Sequence, residues 1–228
     1  MKVEFANDLT EFKILSFLSG EDLKKFEKFL FKRTYKKNQI LFTDGDPRER
    51  LYFLSKGYVK LEKTNMEATM LYVDYVKPHS LFPYGGMFTD LFYHHSAYGL
   101  TDIEVYYIPA KVFETYVKTN RDQLLVIINQ LSRILELNER RLQTLATSNV
   151  KDRVEQSIHY LVKEFGVLEG EDVIIDLPMT ITEIAKLAGT CRETASSIFR
   201  ELKNEGLLSF ESRKIIVHNK NYFMQKIM

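Results

Sequence analysis

The chain has 228 residues, of which 45% are hydrophobic and 28% charged, and its formal net charge is +1. This length allows one large domain or two small ones, and the composition is that of an ordinary globular protein. A single cysteine, Cys191, excludes an intramolecular disulfide framework and fits a reducing compartment. No run approaches the roughly 18 apolar residues of a membrane span. The N-terminal segment carries acidic residues and no long apolar run, so we expect a cytoplasmic protein without a signal peptide.

Two kinds of periodicity occupy the first 120 residues. The segment Leu9–Phe31 has apolar residues at helical spacing with a break at Ser19–Gly20, which predicts two short helices. Beyond it, short alternating runs are separated by turn signals such as Gly45-Asp46. We expect an antiparallel β-sandwich or barrel over Tyr35–Ile108. Pro109 then suits the first turn of a helix.

Residues 121–148 predict one long helix with an apolar seam. Seam positions lie alternately four and three residues apart, which is an a/d heptad pattern. A helix buried along one face of its own domain would show the same pattern. We favour a parallel dimer contact, because the seam is narrow and flanked by charged residues, and because asparagine at a core position specifies register. The seam consists of Leu124, Ile128, Leu131, Leu135, Asn138, Leu142 and Leu145.

The segment Thr180–Gly206 predicts two short helices joined by a tight turn. Thr180 and Glu183 have the spacing of a capping box. Gly189 follows the first helix where a sharp turn requires positive φ. Small residues at Ala185 and Ala195 would let the two helices cross closely. This is the helix-turn-helix pattern, whose second helix enters the DNA major groove.

The residues after the second helix predict a hairpin. Leu207–Val217 alternates apolar and polar residues around a polar turn at 211–213. Such a wing would place Arg213 and Lys214 along the phosphate backbone. From Asn149 to the end the chain has 11 Lys and Arg against 12 Asp and Glu, but from Thr190 onward 7 against 4. Any affinity for DNA must therefore come from a local patch, and from two copies of it.

Over nearly its whole length the chain resembles the CRP/FNR family of bacterial transcription regulators. Cys191-Arg192-Glu193-Thr194 is similar to the family's opening of the recognition helix, and Gly45-Asp46 and Lys56-Gly57 are similar to its turn glycines. The resemblance implies an α+β fold, with a cyclic-nucleotide-binding-like β-roll in residues 1–120, a dimerisation helix in 121–148 and a winged helix-turn-helix in 149–228. It also implies a homodimer on a palindromic operator in double-stranded DNA, with RNA polymerase as a partner if the protein is an activator.

The resemblance assigns base contacts to the recognition helix. Arg192 matches a position that contacts guanine, and Glu193 matches one that accepts from cytosine. Ser196 matches a base-reading serine of the FNR branch. The third base-reading position, usually arginine, is Ser197 here, which alters the expected half-site. The simpler interpretation of Glu193 is a solvent-facing acid that pairs with Arg192.

Two further assignments concern the ends of the helix-turn-helix. Thr180 and Arg200 match phosphate-contacting positions of the family. Cys191 begins the recognition helix, and one hypothesis is that its oxidation blocks DNA binding. The alternative is that a small residue is tolerated at that turn.

The effector pocket departs from the family pattern. Tyr84 stands where cyclic-AMP binders have a ribose-binding glutamate, and His95-Ser96 replaces their Arg-Ser or Arg-Thr pair. A neutral imidazole lacks the permanent bidentate charge that arginine offers a phosphate, so we expect no cyclic-nucleotide binding of the usual kind. One cysteine cannot hold an iron–sulfur cluster. The Leu81-Phe82-Pro83 turn is similar to that of ArcR-type regulators.

We expect the remaining histidine and aromatic side chains of the roll to pack in the fold instead of forming a metal or ligand site. Adjacent histidines on a strand point to opposite faces, so His94 and His95, with His79, do not predict a metal site. We expect the aromatic residues to form core instead of a ligand box; these are Tyr72, Tyr75, Phe82, Tyr84, Phe88, Phe92 and Tyr93.

Other classes of function are weaker. No Ser/His/Asp set, phosphate loop or carboxylate pair stands out, so we expect neither an enzyme nor a cofactor. A small-molecule sensor that acts on a protein partner instead of DNA is the alternative. The near-neutral charge and Ser197 favour it.

Overall fold

The structure, a computed structural model, describes residues 11–15, 18, 20–64, 71–211 and 213–225. The chain divides into two compact units, Met1–Ile134 and Leu135–Met228. Part of one long helix belongs to each unit. None of the helices in the described residues is both long and apolar enough to cross a membrane.

Among the described residues of the first unit there are eight strands and the helices around them. A 3-10 turn covers Lys13–Leu15 and helix α1 covers Gly20–Glu27. The strands are β1 Phe31–Tyr35, β2 Ile40–Phe42, β3 Arg50–Lys56, β4 Val59–Thr64, β5 Leu71–Val76, β6 Ser80–Phe82, β7 Ser96–Gly99 and β8 Ile103–Pro109. Helix α2 covers Ala110–Thr119, and α3 begins at Arg121 and ends at Ala146. The predicted helix after Pro109 is confirmed, with Pro109 as its N-cap.

Two four-stranded antiparallel sheets form the β-roll, in the orders β1-β8-β3-β6 and β2-β7-β4-β5. One core cluster contains residues of both sheets, and its aromatic rings stack. The rings of Phe42 and Tyr93 are 3.8 Å apart, and those of Tyr52 and Phe82 are 5.4 Å apart. Of the seven aromatic residues expected in the core, Tyr75, Phe82 and Tyr93 are buried, whereas Phe92 is exposed.

A second cluster packs the helices of the first unit against β3 and β8. Phe53 of β3 contacts Phe12 and Phe113 edge-on, at 5.4 and 5.9 Å between ring centroids. Ile127 of α3 is fully buried in the same cluster. The first turns of α3 therefore belong to the core of this unit.

The predicted helical segment Leu9–Phe31 needs correction at its end. Phe31 opens β1, where it pairs with Tyr107 of β8 and stacks on its ring at 5.3 Å. The roll thus begins before Tyr35. The residues of β1 pair with residues 68 to 76 positions away, so local spacing did not reveal the strand. Leu9 and the predicted break residue Ser19 lie outside the described residues, as does Met70 before β5.

The described part of the second unit contains four helices after α3 and one sheet. Helix α4 covers Val150–Phe165, α5 Ile181–Leu187, α6 Arg192–Asn204 and α7 Lys220–Gln225. The strands are β9 Gly166–Glu169, β10 Asp172–Ile175, β11 Leu208–Glu211 and β12 Lys214–Val217, in the order β11-β12-β10-β9. The predicted hairpin after α6 is confirmed as β11–β12. Strand β9 was not predicted; all four of its residues are exposed, so it carries no alternation of burial.

Candidate nucleic-acid interface

Local hydrogen bonds define both ends of the turn between α5 and α6. Thr180 caps α5, because its Oγ1 accepts from the Glu183 N–H at 3.2 Å while Glu183 Oε2 accepts from the Thr180 N–H at 2.8 Å. After α5, Gly189 takes a φ of +58°. The N–H of Thr190 then donates to the carbonyl of Ala185 at 2.9 Å, as in a Schellman motif. The predicted capping box and glycine turn are confirmed.

Packing turns one side of α6 inward. Ala185 of α5 and Ala195 of α6 are both buried, so the helix backbones approach closely as predicted. Ile198, Phe199 and Leu202 are buried on the same side of α6. The remaining side of this helix is left for solvent or a ligand.

The exposed side of α6 carries the residues expected to meet DNA. Arg192, Glu193, Ser197 and Arg200 are exposed, and Ser196 is half-buried. In the described part of the chain, neither Arg192 nor Arg200 forms an ion pair, so Arg192 does not pair with Glu193. Unpaired guanidinium groups on an exposed helix can bind phosphate or base edges without first breaking an internal contact.

The wing lies beside this helix in the same unit. Phe199 of α6 meets Phe210 of β11 edge-on at 6.3 Å, and the Met179 N–H donates to the carbonyl of Arg213 at 3.0 Å. Arg213 is exposed at the hairpin turn with a φ of +67°. Lys214 pairs with Asp176, whose carboxylate raises the pKa of the ammonium. The two predicted wing cations therefore differ: Lys214 is already paired.

Cys191 is the N-cap of α6 and is exposed. Its Sγ lies 3.1 Å from Thr194 Oγ1, and its side chain makes no capping hydrogen bond to the backbone. The thiol is accessible, and its role as a redox switch stays a hypothesis.

The predicted seam is largely exposed along α3. Ile128, Leu135, Leu142 and Leu145 are 47%, 60%, 66% and 46% exposed. Leu124, Leu131 and Asn138 are partly buried, and the two leucines also touch the core cluster of the first unit. A single chain thus leaves most of this apolar stripe uncovered.

The degenerate effector pocket is brought together in part. Gly85, the neighbour of Tyr84, lies beside His95: a Cβ atom added to this glycine would be 3.7 Å from His95 Cε1. Burial raises the pKa of Tyr84, whose ring packs against the helical core cluster. Burial, with Lys63 nearby, lowers the pKa of His95, which keeps the imidazole neutral at pH 7. The Ser96 hydroxyl accepts from the Asp44 N–H at 3.0 Å.

The other histidines of the roll have separate partners. His94 Nε2 lies 2.6 Å from Asp90 Oδ2, and His79 Nδ1 lies 3.0 Å from Glu11 Oε2. Over the described residues no group of three or more His, Cys, Asp or Glu side chains is arranged to hold a metal ion.

Arg153 is a residue of this unit that the sequence analysis missed. Its Nη1 donates to the carbonyl of Thr147 at 2.9 Å, and its Nε donates to that of Ala188 at 3.0 Å. It therefore links the end of α3 to the helix-turn-helix turn. An arginine at the start of an amphipathic helix gives no local signal for such carbonyl partners.

A winged helix-turn-helix together with a long helix and a β-roll defines a DNA-binding transcription regulator. Residues 32–120 match the family model of the cyclic nucleotide-binding domain, and residues 153–225 match that of the Crp-like helix-turn-helix domain. The global nitrogen regulator of Nostoc sp. is 30% identical over 189 residues, covering 81% of this chain and 84% of the relative. The chain belongs to the CRP/FNR family of transcription regulators.

Further similarities support this assignment. The HTH-type transcriptional regulator ArcR of Staphylococcus haemolyticus is 29% identical, covering 90% of this chain and 86% of the relative. The structure of FixK2 from Bradyrhizobium japonicum has a TM-score of 0.74 at 18% identity, covering 86% of this chain and 96% of that one. That of the c-di-GMP responsive regulator CLP of Xanthomonas campestris has a TM-score of 0.71 at 23% identity, covering 88% and 100%. The structural similarities show the same fold.

Proposed function

We propose that the protein binds a two-fold symmetric DNA operator as a homodimer and regulates transcription from it. The observation that carries the proposal is the exposed side of α6, where Arg192 and Arg200 have no ion-pair partner among the described residues. Arg192, at the start of the helix, is suited to bidentate contact with guanine, and Glu193 to accepting from cytosine N4. Arg200 and Arg213 would contact phosphates on either side of the bases.

Dimerisation through α3 is part of the same proposal. One recognition helix reads one half-site, so two copies are needed for a palindrome. The exposed residues Leu135, Leu142 and Leu145 form the apolar stripe that a second α3 would cover. Asn138 among them would favour a parallel pair in register. Such a regulator would act in the cytoplasm, where the bacterial chromosome lies. RNA polymerase would be its partner if the protein is an activator.

We also propose that cyclic AMP does not control DNA binding. The neutral imidazole of His95 offers a phosphate no permanent charge. The hydroxyl of Ser96 already accepts a backbone hydrogen bond, and Tyr84 packs into the core. Cyclic AMP should therefore change neither the affinity of the protein for its operator nor its sequence preference.

The test is selection of bound DNA from a random duplex pool by the full-length protein, without ligand and at near-physiological salt. We expect enrichment of an inverted repeat whose half-sites lie about 10 base pairs apart, centre to centre. The same selection with the variant Arg192→Ala, which removes the proposed guanine contact, should give no enrichment although the variant folds. Adding cyclic AMP should leave the selected sequence and the yield unchanged. If no sequence is enriched, the selection is repeated with metabolites from a cell extract. Enrichment would then indicate a regulator that needs another small molecule, and continued failure would favour the alternative, a sensor that acts on a protein partner.

A further inference from the structure

A cavity of about 260 Å³ lies within the second unit, between the C-terminal half of α3 and helix α4. From α3, Arg140 and Arg141 line it, and from α4, His159, Tyr160 and Lys163. No Asp or Glu is among the described residues that line it. The volume is just below the roughly 300–1,000 Å³ of typical small-molecule sites, so the site suits only a small ligand, and the lining combines positive charge with an aromatic ring.

The surroundings of His159 favour a bound ligand in this cavity. Its Nδ1 is buried and has no hydrogen-bond partner in the described part of the chain, and the backbone of Phe223 lies close to the ring. A buried polar nitrogen without a partner carries a desolvation cost that a ligand or an ordered water would remove. Burial, with Lys163 and Arg140 nearby, lowers the pKa of His159, so added negative charge would be favourable here.

The arginines of the cavity offer directional recognition. Arg140 Nη2 is 2.7 Å from Glu136 Oε1, a solvent-exposed pair that holds part of the guanidinium. The Arg141 guanidinium lies 5.5 Å from the centre of the Tyr160 ring. Guanidinium groups bind carboxylates and phosphates in a bidentate manner, and the ring provides a flat apolar wall beside them.

The cavity lies mainly on the side of α3 away from the proposed dimer contact. Arg140 and Thr144 are opposite to Leu135 and Leu142, because successive residues are about 100° apart, whereas Arg141 flanks the seam next to Leu145. A second copy seated on the seam would approach Arg141 and would leave Arg140 and Thr144 accessible.

We propose that this cavity binds a small aromatic anion, with its carboxylate or phosphate against Arg140, Arg141 and Lys163 and its ring beside Tyr160. This site is distinct from the degenerate pocket of the β-roll. The inference concerns binding alone, so it goes beyond the proposed regulation of transcription.

The experiment is isothermal titration calorimetry of the full-length protein with benzoate and, separately, phenyl phosphate. We expect one site per chain for at least one probe, and the stronger binder identifies which anionic group the site prefers. Acetate and inorganic phosphate, which lack the ring, should bind more weakly. Arg140 and Lys163 are exposed, so the double variant Arg140→Gln/Lys163→Gln should fold and should raise Kd about tenfold.

Lys111→Gln is the control for loss of a positive charge elsewhere, because it removes an exposed ammonium group from α2 in the first unit. Its Kd should equal that of the unaltered protein. Two results would overturn the inference: no heat from either probe up to about 10 mM, or equal affinity in the double variant and the control. Calorimetry measures ligand binding in the absence of DNA. Its result therefore does not depend on the outcome of the operator selection.

Discussion

Arg153 Nε donates a hydrogen bond of 3.0 Å to the carbonyl oxygen of Ala188, the C-cap of α5. The same guanidinium donates to Thr147 at 2.9 Å and to Gly189 at 3.4 Å. Carbonyls at helix ends lack partners within their own helix. A single side chain from the first turn of α4 therefore satisfies such groups both at the end of α3 and at the turn before the recognition helix.

Replacing this arginine should destabilise the second unit. Lysine in the variant Arg153→Lys has one ammonium group and cannot reach both turns at once, so about 1–3 kcal/mol of unfolding free energy should be lost. The lost stability would be measured by calorimetric or circular-dichroism melting. Arg192→Lys is the matched control, since Arg192 forms no ion pair within the described residues and should leave the melting temperature unchanged. Equal melting of both variants would show that the Arg153 contacts contribute nothing.

Substitutions of Arg192 and Arg200 should affect DNA binding differently, the first changing sequence preference and the second overall affinity. Arg192→Lys should cost about 1–3 kcal/mol on the selected operator and relax the preference at one base pair, because a bidentate contact is lost. Arg200→Ala should weaken all sequences alike and lower the slope of log K against log salt by about 1. Fluorescence anisotropy on operator and mismatched duplexes at several salt concentrations distinguishes these effects. A uniform loss for Arg192→Lys would contradict its assignment to a base.

The wing offers a paired comparison of neighbouring cations. Arg213→Ala should reduce operator affinity several-fold, because its exposed guanidinium is available for a phosphate. Lys214→Ala should have a smaller effect on affinity, because Lys214 is already paired with Asp176. Binding isotherms for both variants at one salt concentration suffice. The reverse order would mean that the ion pair opens when DNA binds.

Charge in the seam should separate the protomers. Leu142→Asp places a carboxylate at a position that is 66% exposed in one chain and that dimerisation would bury, so the variant should be monomeric at micromolar concentration. Sedimentation or light scattering reports the mass. Leu91→Asp, at an apolar residue 77% exposed outside the helices, should leave the mass unchanged. An unaffected dimer in the Leu142 variant would place the interface elsewhere.

Stability should fall on mild acidification. Burial lowers the pKa of His95 in the first unit and of His159 in the second, so both are kept neutral when folded. The unfolded chain then binds more protons than the folded one as pH falls through the unfolded value of about 6.5, and stability is lost from there down to the folded pKa. Melting temperatures between pH 7.5 and 5.5 should decline in the unaltered protein. The decline should be shallower in His95→Gln/His159→Gln, and an identical slope would exclude these histidines.

The local elements of the second unit were predictable because their signals lie within a few residues. The capping pair Thr180 and Glu183 is three positions apart, and Gly189 marks the turn by itself. Helix α4, Val150–Phe165, buries apolar residues at helical spacing, which is a signal of the same local kind. In the first unit, Phe31 joined a strand because Tyr107 offered it a partner, and no spacing near Phe31 records that.

The sequence by itself determined the family, the long helix and the helix-turn-helix, because periodicity, caps and turn glycines act over one or two helical turns. Only the tertiary structure decided which charges are free. Lys214 meets Asp176 across 38 positions and Arg153 meets Ala188 across 35, so neither pairing is visible before the chain has folded. The cavity between α3 and α4 was likewise decided by packing, since its lining residues converge from two helices.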